Sequence, residues 1–209
     1  MYKGGKCIYS ADGGEVPIEC GLVFTGAQYI NTGITDVNGV RVVADVILDA
    51  VSGNVPLFAC RNVANGFIFW ESVGANTRDD YGSSQYTINR SSIPFNQRLL
   101  IDKNRNQTYV NGTLIRTHSA FTSPIYSNAP LWIGNVGVVG GAFYGGTRAT
   151  VFSFKVYDVN DVLIRDLVPV PQGSAAYSST PAPSNCMWDK VTQQYFENAG
   201  TGNFGIADT

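Results

Sequence analysis

The chain is short of charge. Asp, Glu, Lys and Arg supply only 14% of its 209 residues, where an ordinary globular protein carries about a quarter. The formal net charge is −2 and the sequence pI is about 5.3. No run of Lys or Arg occurs, so the chain lacks the basic footprint of a nucleic-acid binder. Long apolar runs are also missing: nothing approaches the roughly 18–20 residues that cross a bilayer as a helix. Residues Met1 to Cys7 (Met-Tyr-Lys-Gly-Gly-Lys-Cys) lack the apolar stretch of a signal peptide. The expectation from this is a cytosolic protein, a mature fragment, or a virion protein released by lysis. There is one histidine, His118, and there are four glutamates, Glu15, Glu19, Glu71 and Glu197. A single His without a Ser/Asp constellation is weak ground for a triad and reads as a surface or half-buried structural residue. The four cysteines, Cys7, Cys20, Cys60 and Cys186, match no zinc spacing. They read as buried or half-buried free thiols, the alternative being a Cys7–Cys20 clip near the N-terminus. No window reads as an amphipathic helix, and Gly140-Gly141 and Gly145-Gly146 are followed by neither Lys-Ser/Thr nor a helix, which excludes a phosphate loop.

What is present is β pattern and neutral polarity. Hydrophobic residues make up 44% and aromatics 12%. That content is too apolar for a disordered chain and enough, at this length, for one sizeable core. With so little charge the surface falls to Asn, Ser, Thr, Gln and Gly, which suits uncharged ligands such as sugars, or packing against neighbours. Residues 1–20 carry two Gly-Gly pairs and no periodicity and read as an N-terminal arm; residues 21–209 read as one domain. Val40, Val42, Ala44, Val46 and Leu48 alternate with Arg41, Val43, Asp45, Ile47 and Asp49 at period two, so that one face is fully apolar. Asn111-Gly112, between Gln107–Val110 and Thr113–Arg116, is a two-residue hairpin signal, because a type I′ turn needs positive φ at both positions. Thr150 to Tyr157 reads as a central strand with Phe152, Phe154 and Val156 on one face. Pro171 to Asn185, rich in Ser, Ala and Pro, reads as a loop. Many short strands with frequent turns predict an all-β, two-sheet antiparallel β-sandwich.

Two distant stretches carry a resemblance. Thr25-Gly26-Ala27-Gln28-Tyr29-Ile30-Asn31-Thr32-Gly33-Ile34 lies near one end, and Tyr195-Phe196-Glu197-Asn198-Ala199-Gly200-Thr201-Gly202-Asn203-Phe204 near the other. Between them come Leu57–Asn62, Leu100-Ile101-Asp102, Tyr109–Gly112, Leu131–Asn135, Phe152–Asp158, Leu163–Val170 and Met187-Trp188-Asp189. In order and spacing, residues 22 to 206 resemble a concanavalin A-like, laminin-G-like jelly roll of the type found in structural proteins of gut bacteria and their phages. The resemblance implies that the first and last strands pair. The stretch Gln172 to Asn185 is longer than this pattern leads one to expect, and additions to a shared fold are where a particular job tends to sit.

The enzymes of that superfamily hydrolyse glycans with carboxylates arranged as Glu-x-Asp-x-x-Glu, a pair flanking the scissile bond. None of the four glutamates sits in that arrangement, so the expectation is no catalytic residue. Asp79-Asp80 read as solvated loop carboxylates beside Arg78. Laminin-G-like domains often bind calcium at a loop rim. Asp102-Lys103-Asn104-Arg105-Asn106 lacks the Gly and Glu of an EF-hand loop and reads instead as a β connection, so no cofactor is expected, calcium being the one candidate. For a sugar, the candidates are Arg78, Asp79, Tyr81 and Tyr86 in one connection and Asn135, Phe143 and Tyr144 in another. The alternative is that these aromatics pack loops or an interface. Trp70, Trp132 and Trp188 read as core or near-core. The functional expectation is a non-enzymatic virion accessory protein, displayed on the virion surface as a homo-oligomer. It would attach to other virion proteins through the arm and reach host glycans with the domain. The alternative is a carbohydrate-binding module or adhesin fragment on a gut bacterial surface. Neither nucleic acid nor membrane is expected as a partner.

Overall fold

The structure, a computed structural model, describes residues 20–49, 55–61, 66–71, 76–119, 129–138 and 146–208. The arm lies outside these residues except for Cys20, which already belongs to a strand. One end of the Cys7–Cys20 clip is therefore outside as well. Cys20 itself is buried, its Sγ facing the carbonyl oxygen of Pro169 at 3.8 Å.

Two sheets face one another, and among the described residues a single 3₁₀ turn at Arg90–Ser92 is the sole helical element. The larger sheet holds β1 (Cys20–Thr25), β3 (Arg41–Leu48), β8 (Arg98–Asn104), β9 (Gln107–Val110), β10 (Thr113–Thr117), β13 (Arg148–Tyr157), β14 (Leu163–Val170), β15 (Cys186–Asp189), β16 (Gln194–Phe196) and β17 (Gly205–Asp208). The smaller holds β2 (Ile30–Asn31), β4 (Val55–Arg61), β5 (Gly66–Glu71), β6 (Asn76–Gly82), β7 (Ser84–Asn89), β11 (Trp132–Ile133) and β12 (Val136–Val138). Pairing is antiparallel except where β12 runs parallel to β4. The all-β sandwich read from the sequence is the fold.

Alternation builds the core. Along β3, Val42, Ala44, Val46 and Leu48 turn inward, each nearly or fully buried. From the other sheet come Phe58, Phe67 and Phe69; the Phe58 ring meets Phe154 edge-on at 5.5 Å. Asn111 (φ 50°) and Gly112 (φ 77°) form the expected hairpin turn between β9 and β10.

The central strand departs from the expected parity. β13 pairs with β3 along one edge, and with β1 and then β14 along the other. Its register slips between Val151 and Ser153, a β-bulge that gives the strand one extra residue. Ala149 and Val151 face inward before the slip, and Phe154 and Val156 after it. Phe152 is thus on the opposite face from Phe154 and Val156, contrary to unbroken alternation. It lies half-buried with the Arg98 guanidinium 4.1 Å above its ring. A Cβ on Gly21 would come within 2.9 Å of that ring, so glycine on the neighbouring strand makes room for it.

The first and last strands pair as expected: Cys20, Gly21, Leu22 and Val23 of β1 oppose Asp208, Ala207, Ile206 and Gly205 of β17. The two resembling stretches meet just beyond this ladder, through turns rather than through long strands. Ala199 N–H donates to the Tyr29 carbonyl at 2.9 Å and Thr201 N–H to that of Ala27 at 3.1 Å. The Gln28 amide donates to the Asn203 carbonyl, also at 2.9 Å.

Candidate functional site

Of the residues expected at a ligand rim, Arg78, Asp79 and Tyr81 lie on β6 and Tyr86 on β7. The expected solvated loop is a strand pair. Asp79 and Asp80 do point to opposite faces, but neither is solvated: Asp79 is 0% exposed and Asp80 2%. Strand pairing removes both from water, and each is compensated by a partner. Arg78 Nε donates to both Asp80 oxygens at 3.0 Å. Burial pushes the Asp80 carboxyl above its ordinary range, and the Arg78 bond and charge offset this only in part. Asn135 is buried too, its Oδ1 accepting the Val136 backbone N–H at 2.8 Å. Phe143 and Tyr144 lie outside the described residues.

Asp79 faces the core, and there it gathers groups that were not grouped in the sequence. Its Oδ1 contacts Lys103 Nζ. Its Oδ2 accepts from Thr108 Oγ1 at 2.7 Å and lies 2.9 Å from His118 Nε2. Lys103 belongs to β8, Thr108 to β9, and His118 follows β10, so the cluster ties the smaller sheet to the larger. The Lys103 and His118 side chains are 0% exposed, so the surface or half-buried histidine of the sequence reading is a core residue. Burial pushes the Asp79 carboxyl up, but the Lys103 charge and the His118 bond outweigh it and hold it below its usual range. Facing a carboxylate, which only accepts, His118 Nε2 is the donor of this hydrogen bond. His118 Nδ1 is buried without a hydrogen-bond partner among the described residues. Tyr86 closes the cluster edge-on to the imidazole, 5.2 Å between ring centres, with Arg116 over the tyrosine ring. Lys103 had a signal in the sequence: it shares alternation parity with Leu99 and Ile101. What hid it was its charge, together with its place in an apparent turn.

A second, open place is built by the resembling stretch at the C-terminal end and by the long connection before β15. Gln172, Ser184, Asn185, Glu197, Asn198 and Asn203 line most of a largely polar cleft of about 430 Å³. Two of its amides are scaffold. Asn185 accepts from the Gln172 backbone N–H and donates to the Phe204 carbonyl at 2.9 and 2.8 Å. Asn198 Oδ1 accepts from Tyr29 N–H and Gly200 N–H, while its Nδ2 donates to the Gly202 carbonyl. Gln172, Glu197 and Asn203 remain exposed, the Glu197 carboxylate accepting from Ser184 Oγ at 3.0 Å. Gly200 borders both this cleft and the Tyr29 ring: a Cβ there would fall 2.9 Å from Tyr29 Cδ1 and 2.3 Å from the Ala27 carbonyl oxygen. Tyr29 in turn stacks on Trp132, ring centres 4.2 Å apart and 19° from parallel; both rings are half-buried. Trp188, by contrast, is buried under Tyr195, with Tyr177 stacked parallel further out. The sequence reading missed this cleft as a ligand site, although it marked both of its walls, one as a resemblance and one as an addition.

Among the described residues no three His, Cys, Asp or Glu side chains gather as metal ligands. Asp102 pairs with Arg41 at 2.7 Å, and Arg105 (φ 55°) turns the chain from β8 into β9. No described helix is long and apolar enough to cross a membrane.

The sequence matches no protein-family profile and no curated protein. Its fold is similar to the crystal structure of a "putative carbohydrate binding protein" from Bacteroides ovatus ATCC 8483, with a TM-score of 0.61 and 12% identity over 90% of this chain. The chain spans 59% of the length of that protein. At this identity the likeness is one of fold.

Proposed function

We propose that this domain is a carbohydrate-binding β-sandwich of the concanavalin and laminin-G kind, without catalytic activity, and that its site is the cleft beside the Tyr29–Trp132 pair. The observation that carries the reading is an open cleft lined by amides and one carboxylate, adjoining a stacked aromatic pair. Sugars offer hydroxyls that both donate and accept, and C–H faces that pack on aromatic rings; a few placed polar groups beside an aromatic surface answer both. Glu197 is the one carboxylate in the lining among the described residues, whereas glycoside hydrolysis of the ordinary kind uses two. The fold similarity to a protein described by its carbohydrate binding supports the same reading. Such sites are weak singly, with Kd of order 1 mM or about −4 kcal/mol, and gain avidity from several copies.

The test is a glycan array probed with the protein at high valency, followed by titration of the retained glycan. Trp132→Ala, with the fold checked by circular dichroism, is expected to weaken binding about tenfold, the ~1.4 kcal/mol of a lost stacking contact. No retained glycan overturns the function; unchanged affinity in the folded variant overturns the site.

A further inference from the structure

We propose that Lys103 and Asp79 condense into an intramolecular amide, a covalent strut between the two sheets. Four observations on the same cluster carry this. The Lys103 amine and the Asp79 carboxyl are in direct contact. Both side chains are 0% exposed. The centre of the Phe67 ring lies 5.1 Å from Lys103 Nζ, so an aromatic face covers one side of the amine. Two further donors, Thr108 Oγ1 and His118 Nε2, converge on the far carboxyl oxygen, Oδ2.

The chemistry balances within the cluster. Condensation starts from the minor neutral pair: one proton passes from Lys103 Nζ to the Asp79 carboxyl against the attraction that favours the ions, a step that the water-excluded, low-dielectric site makes less costly than it is in water. The amine lone pair attacks Asp79 Cγ, forming the C–N bond and opening the carbonyl to a tetrahedral carbon. Breaking the Cγ–Oδ2 bond then expels water, which takes up the transferred proton and a second one from the nitrogen. An ammonium and a carboxylate thus become one amide and one water, with no oxidant, reductant or co-reactant. His118 Nε2–H stands at the departing oxygen, where it can hand over its proton and recover one from the attacking nitrogen. Thr108 stabilises the charge that develops on the same atom. Fixing amine and carboxyl in contact supplies the high effective concentration that free amino acids in water lack.

The experiment is the intact mass of the denatured full chain after prolonged incubation of the folded protein at neutral pH, followed by tandem mass spectrometry of its tryptic peptides. The expected result is a chain lighter than its sequence by one water. A branched peptide should join the segment containing Asp79 to the one containing Lys103, with trypsin no longer cutting after Lys103. His118→Ala is expected to accumulate the linked form more slowly. Lys103→Arg should keep the charge and the full sequence mass. A native chain of full sequence mass overturns the proposal. So does a lost water that maps elsewhere, as in a succinimide at Asp12-Gly13. Because the native chain is measured, neither outcome depends on whether a variant folds.

Discussion

Cys186 shows how burial can dominate a residue's chemistry. It lies in a small cluster with Val170, Ala182 and Trp188 beneath the long connection. Burial, with the Glu197 charge adding to it, pushes its thiol from 9.0 to about 12. Between those values the folded chain keeps a proton that the unfolded chain releases, so the linkage runs one way. The thiol's contribution is fully present below pH 9.0 and is lost as pH rises toward 12. Stability measured by urea unfolding at about pH 8 and about pH 10.5 is expected to fall more in the native protein than in Cys186→Ala. Equal falls would mean that the thiol ionises freely. The core cluster is a residue-scale matter too. The partners of Asp79 come from β8, β9 and the segment after β10, and their meeting depends on the stacking of two sheets, which a linear pattern does not carry. Parity could place Lys103 on the Leu99 and Ile101 face; no local signal could name the carboxylate opposite.

At the scale of the element, β13 carries the lesson. Its apolar residues announce a central strand, and alternation correctly turns Phe154 and Val156 inward. The extra residue at the bulge has no compositional mark, since Val151, Phe152 and Ser153 all suit a strand. It is fixed by pairing with Val46 and Asp45 on β3. The two phenylalanines should therefore differ sharply. Phe154→Ala, which empties a fully buried site, is expected to cost ~3–5 kcal/mol. Phe152→Ala, which loses a partly exposed ring and its contact with Arg98, is expected to cost about 1 kcal/mol. Denaturant unfolding of the two variants measures this, and similar costs would contradict the bulge. The β9–β10 hairpin was legible outright, because Asn111-Gly112 has few other uses. Arg78, Asp79 and Asp80 misled for the opposite reason: three charges in a row read as a solvated turn, when each is paired within or across the sheets.

At the scale of the molecule, closure depends on distant segments. Among the described residues β17 pairs with β1 alone, and the turns beyond this ladder hold both walls of the cleft. Ending the chain at Phe204 removes that strand and leaves one edge of β1 open. The expected cost is ~2–4 kcal/mol, a fall in Tm of roughly 5–15 °C, read by thermal unfolding; an unchanged Tm would mean that the ladder contributes nothing. The two resembling stretches were legible as partners because they share a pattern of small and aromatic residues. The cleft between the C-terminal turns and the long connection was not, because a cavity is defined by what the backbone leaves unfilled. Should the proposed amide form, it closes a loop of 24 residues and adds about 3 kcal/mol on the chain-entropy account.

The pairing of Cys20 with Asp208 has a mechanical corollary. The two strand ends sit side by side at the same end of their ladder. A force applied at Cys20 and Asp208 would part β1 from β17 rung after rung, like a peeled seam, instead of loading every rung in shear. β17 would yield at low force, while β1, held along its other edge by β13, stayed with the sandwich.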